Sequence, residues 1–131
     1  MYNIIKKGNY LPNKNKVFKG GYKMINNKDL EIQLEYFKDE MTEAYENNDF
    51  WEYLANLDIY NIDFTITLCY QVLKYKSVCI MVACGGPNIY IDTSNGALIG
   101  AWGGDREKIY LDNNIINEIN SYFEDYYDNF K

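Results

Sequence analysis

The spacing of apolar residues changes character twice along this chain. Leu30, Leu34, Phe37, Met41 and Tyr45 follow a 3.6-residue period, which predicts a helix from Asp29 with one apolar face. Asn47-Asn48 ends that helix. Asp49 reads as the N-cap of a short second helix, with Glu52 three residues on closing a capping box, and Trp51, Leu54 and Leu57 facing inward. From Ile62 the period becomes two. Ile62, Phe64, Ile66, Leu68, Tyr70 and Val72 alternate with Asp63, Thr65, Thr67, Cys69 and Gln71, as in an antiparallel strand with one buried face.

Lys74–Ser77 supplies a polar turn. Val78–Cys84 is a continuous apolar run suited to a strand inside the sheet. Gly85-Gly86-Pro87 breaks it, and Asn88–Thr93 begins another strand. The Asn95-Gly96 pair suits a type I′ hairpin, because both central residues of that turn need positive φ. Ala97–Trp102 returns, Gly103-Gly104-Asp105 turns, and Glu107–Leu111 makes a fifth strand. Asp112 or Asn113 then caps a last helix whose buried stripe is Ile116, Ile119, Phe123, Tyr126 or Tyr127, and Phe130. Strands grouped together between helices predict an α+β fold: two N-terminal helices, an antiparallel meander of four to five strands, and a C-terminal helix packed on one sheet face.

Residues 1–27 break the pattern. Lys, Asn and Gly dominate, Pro12 and Gly20-Gly21 interrupt periodicity, and only Val17–Tyr22 has strand character. The expectation is a basic N-terminal arm over 1–27 and a single acidic domain over 28–131. At 131 residues the chain suits one core and is short for two ordinary domains.

Charge sharpens that division. Residues 1–23 carry six lysines and no acid, while the other 108 residues hold all 19 acids against seven basic groups; +6 and −12 make up the net charge of −6. An acidic body with a basic arm favours basic protein surfaces as partners, rather than nucleic acid or anionic membrane. Much of the acidity is ordered. Glu31, Glu35, Asp39 and Glu43 recur every four residues opposite the apolar face of the first helix, and Glu118, Asp125 and Asp128 stay outside on the last. Four-residue steps rise about 6 Å. Phosphates of one DNA strand recur about every 3.4 Å, so such a row resembles an incomplete line of phosphates and could occupy a basic groove. The alternative for these residues is an ordinary solvated helix face.

Catalytic chemistry finds little support. The chain has no His, the side chain that most often serves as general base and metal ligand. Cys69, Cys79 and Cys84 are odd in number and form no C-x-x-C pair, which argues against zinc and against a disulfide framework. Cys84 beside Gly85-Gly86 could be a nucleophile facing oxyanion-binding amides, but a thiolate needs a base or cationic neighbour and the chain has no His to serve; a tight structural turn is the plainer reading. The two glycine pairs match no phosphate-loop pattern. Asp92 and Asp105 could serve as a carboxylate pair, yet among 19 acids some pair fits any template. No enzyme, metal or cofactor is expected. Reduced cysteines and the lack of a signal-peptide core or membrane-length apolar run lead to the expectation of a cytoplasmic protein.

The stretch Ser77–Thr93, SVCIMVACGGPNIYIDT, resembles a segment in small acidic proteins of phages and conjugative elements of low-GC bacteria. The similarity runs through Trp102 and the acidic, aromatic terminal helix, roughly residues 57–130. It implies a mobile-element origin and an α+β fold with the Gly-Gly-Pro hairpin, and it brings no catalytic residues. By analogy of context and charge, it also implies an anti-restriction or anti-CRISPR role. The expected partner is therefore a basic, nucleic-acid-binding protein such as a CRISPR effector or a restriction enzyme. A structural or regulatory interaction module, joined as a homodimer through an exposed strand or aromatic patch, is the alternative.

Overall fold

The computed structural model describes residues 27–130, so the basic arm, including Val17–Tyr22, lies almost wholly outside the described residues. The fold is α+β. Helix α1 spans Asn27–Glu46 and α2 Phe50–Ala55; then come β1 Asn61–Cys69, β2 Val72–Ala83, β3 Asn88–Asp92, β4 Ala97–Trp102 and β5 Asp105–Tyr110; α3 is Asn113–Phe130. The five strands form one antiparallel sheet in the order β1-β2-β3-β4-β5.

Helix α1 buries Leu30, Leu34 and Met41 completely, adds Ala44, and packs Phe37 and Tyr45 at the margin of the core. It ends in a Schellman motif. Asn48 takes φ 62°, the Asn48 amide donates to Tyr45 O at 3.2 Å, and the Asp49 amide donates to Ala44 O at 3.0 Å. Asp49 precedes α2, but its side chain makes no capping hydrogen bond, so the expected capping box does not form. The buried face of α2 also differs from expectation. Phe50, Tyr53 and Leu54 go inside, whereas Trp51 is exposed. Six residues make fewer than two turns, too short for periodicity to tell adjacent positions apart.

The first hairpin is displaced from its expected place. Its turn is Tyr70-Gln71, with φ 50° and 66°, and Cys69 pairs with Val72. Both central residues sit in the left-handed region that a type I′ turn requires. Lys74–Ser77 is therefore not a turn but part of β2. Conversely, Asn95-Gly96 is no type I′ pair: only Gly96 has positive φ, and Asp92 and Ala97 flank a four-residue loop. Asp92 organises that loop by accepting from Ser94 N at 3.0 Å, Ser94 Oγ at 2.8 Å and Asn95 Nδ2 at 2.7 Å.

The registers carry Phe64, Val78, Ile80, Ile91, Leu98 and Gly100 along one face of the sheet. Helix α1 packs against β4 and β5, α3 against β2, and α2 touches both other helices. Gly100 permits the approach of α1, since a Cβ there would stand 2.8 Å from Leu30 Cδ1 and 3.2 Å from Leu34 Cδ2. On α3, Ile115, Ile116, Ile119 and Phe123 are buried, Tyr127 is half-buried, and Tyr126 is exposed. Fully burying a side chain the size of Phe123 contributes about 1.5–3 kcal/mol. Asp112 starts α3, with its carbonyl accepting from the amides of Ile115 and Ile116.

The hairpin outlasts its support. A bulge displaces Lys76 between the pairs Thr65–Ser77 and Ile66–Tyr75, and beyond it almost every residue to the turn is exposed.

Candidate protein-binding surface

Because Leu30, Leu34 and Met41 are pinned against the sheet, the opposite side of α1 must face outward. Glu31, Glu35, Asp39 and Glu43 are all exposed there. Two further residues, Glu46 and Glu124, extend this charged surface. Glu46, three residues after Glu43 and seven after Asp39, is exposed on the same side of α1, and that spacing was visible in the sequence. Glu124 on α3 is exposed beside Tyr75 and helps raise the phenol's pKa. Ile32 interrupts the α1 surface with an exposed apolar side chain.

The carboxylates of α3 are less alike than their spacing suggests. Asp125 and Asp128 are exposed. Glu118 is half-buried, and its Oε1 accepts from Trp51 Nε1 at 2.9 Å. Trp51 also meets the Tyr122 ring edge-on, with centroids 5.1 Å apart. Glu118 therefore anchors α2 to α3, and a basic partner reaching it would compete with that indole. The α1 and α3 rows lie on neighbouring helices that touch each other, with α2 against both.

A second aromatic group closes the base of the β1–β2 hairpin. Phe64 lies 5.3 Å from Tyr127 and 6.1 Å from Tyr75, centroid to centroid. Tyr75 Oη donates to Asn120 Oδ1 at 2.6 Å, and burial, with the nearby Glu124 carboxylate adding to it, pushes the phenol up to about 12.

The residues considered for catalysis do not assemble. Cys84 is exposed, but the Gly85 amide that an oxyanion would need already donates to Asn88 Oδ1 at 2.8 Å. Cys79 is flanked across the sheet by Asp63 and Asp92, and burial together with those two carboxylates raises its thiol to about 11, the wrong direction for a nucleophile. Asp92 closes β3 at one end of the sheet while Asp105 opens β5 at the other. Five residue steps of strand, about 17 Å, separate their rows, too far for a carboxylate pair. Gly85-Gly86 leads into β3 and Gly103-Gly104 joins β4 to β5, so neither pair opens a helix that could hold phosphate. Among the described residues no cluster of three or more potential ligands could hold a metal ion, and no helix is long and apolar enough to cross a membrane.

No known protein family, curated protein or solved structure matches this chain.

Proposed function

We propose that this chain is a non-enzymatic binding protein of a phage or other mobile element, acting in the host cytoplasm. It would inhibit a basic, nucleic-acid-binding defence protein of the CRISPR-effector or restriction-enzyme kind. The observation that carries this reading is the exposed row Glu31, Glu35, Asp39 and Glu43, prolonged by Glu46, on a helix whose other side is fixed in the core. A rigid helix holds carboxylates about 6 Å apart without a backbone ordering cost at binding. A groove built for phosphates would exchange its counterions for these carboxylates as it does for DNA, and affinity would fall with added salt. Asp125 and Asp128 widen the charged surface, and the exposed Trp51 and Tyr126 provide amphipathic contacts beside it.

The experiment is a competition. Purified restriction enzymes and CRISPR effectors from low-GC bacteria are titrated with this chain and with duplex DNA, across a salt series. The reading expects capture of one such enzyme, displacement by DNA, and loss of both when Glu31, Glu35, Asp39 and Glu43 are all replaced by Lys in a protein with an unchanged circular dichroism spectrum. Binding that survives the reversal would overturn it.

A further inference from the structure

The two edges of the sheet are built differently. β5 carries Asp105, Arg106, Glu107 and Lys108 in six residues, the alternating charge that discourages another strand from pairing. β1 is nine residues long with Asp63 as its one charge, contains no Pro or Lys, and among the described residues has β2 as its single neighbour. Apolar side chains on this edge are left in water: Ile66 is 39% and Leu68 68% exposed, and Leu73 on β2 is 51% exposed.

The sequence of β1 is also complementary to itself when reversed. With a two-fold axis at Thr65, Phe64 falls opposite Ile66 of a second strand, Ile62 opposite Leu68, and Asp63 opposite Thr67. The existing β1–β2 register extends each row into the sheet. Tyr75 and Ile66 continue into the second copy's Phe64 and Val78; Leu73 and Leu68 continue into its Ile62 and Ile80. The exposed apolar side chains of one copy thus meet half-buried or buried ones of the other, on the same face.

Charge supports the same pairing. Residues 64–91 contain no acid, so here two copies of a chain with net charge −6 can approach without opposing carboxylates along the paired strands. On the other face, Lys74 lies beside Thr67, and Thr67 would lie opposite Asp63 of the second copy. Two strand spacings, about 10 Å between backbones, are within reach of a lysine extended across a threonine towards a carboxylate. The two-fold axis produces this contact twice.

We propose that β1 pairs antiparallel with β1 of a second copy, centred on Thr65, to give a continuous ten-stranded sheet in an isologous homodimer. The pairing uses the sheet edge and none of the carboxylates on which the inhibitor reading rests, so the two stand or fall separately.

Sedimentation equilibrium of the full chain tests it, together with variants at exposed β1 and β2 positions. The wild type should pass from one chain to two as concentration rises. Thr65→Lys, which opposes two ammonium groups on the axis, should stay monomeric at every concentration. Lys74→Asp should weaken the dimer at least tenfold, and adding Asp63→Lys should restore it. In a Cys84→Ser background, Thr65→Cys should cross-link on mild oxidation while Thr67→Cys should not, because the two Thr67 positions lie about 13 Å apart along the strands. A wild type that remains monomeric, whatever else covers β1, overturns the proposal. So does a Thr65→Lys dimer as tight as wild type, or equal cross-linking at both positions. Thr65→Cys in folded, otherwise native protein keeps the question decidable if a charged variant fails to fold.

Discussion

Gly100 and Leu30 are in contact across the sheet–helix interface, and their closeness sets the distance between α1 and β4. A Cβ on Gly100 would stand 2.8 Å from Leu30 Cδ1 and 3.2 Å from its Cγ, and Leu30 is completely buried with little room to swing aside. Gly100→Ala should therefore destabilise the fold by about 1–3 kcal/mol through overpacking. Urea unfolding would measure it, and an unchanged midpoint would show that α1 can shift at no cost.

Asp92 sits under three hydrogen bonds from Ser94 and Asn95. Burial alone would raise its carboxyl pKa, but those bonds outweigh it and hold the carboxyl below its ordinary value. A folded pKa below the unfolded one stabilises the protein above the unfolded value, and the contribution disappears as pH falls through the folded value. Asp92→Ala should cost about 1 kcal/mol at neutral pH. The gap from wild type should narrow in acid, as the wild-type carboxylate is protonated. A gap independent of pH would mean that the charge of Asp92 plays no part.

Cys79 and Cys84 should differ sharply towards alkylating reagents. Burial, Asp92 and Asp63 push the Cys79 thiol up to about 11, so it stays protonated near neutrality, while Cys84 lies exposed at the end of its strand. Mass spectrometry after brief iodoacetamide treatment should find Cys84 modified and Cys79 intact until denaturant is added. Asp92→Asn removes one of the flanking charges and should speed the reaction at Cys79. Equal rates at the two thiols in native protein would contradict this account.

Helix α1 was legible because three buried positions, Leu30, Leu34 and Met41, repeat at one period while exposed acids repeat opposite them. The acidic row was legible for the same reason. The β1–β2 turn was not. Tyr70-Gln71 contains neither Gly nor Asn, and the run Leu68, Tyr70, Val72 continues an apolar alternation straight through the reversal. That alternation carries no burial information, because Tyr70 is 95% exposed and the whole tip stands clear of the helices. Lys74–Ser77 has the polarity of a loop because Lys74 and Lys76 are exposed on β2, while Tyr75 and Ser77 between and after them are covered. Trp51 departs from the apolar pattern for a different reason. Its exposed indole is held by Glu118, 67 residues away in sequence, a contact no local pattern encodes.

Among the described residues the sheet order follows the chain without a crossover, so each strand pairing joins neighbours in sequence. Such pairings close short loops, and each hairpin can form beside the last as in a zip. Only the helices must search at long range: α1 has to reach β4 and β5 across three intervening strands, and α3 has to return to β2. The contacts of longest range in this fold are therefore those by which its two long helices cover the sheet, and they carry the largest loop-closure entropy. Those two helices are what keeps Val78, Ile80, Ile91 and Leu98, the apolar side of the sheet, out of water.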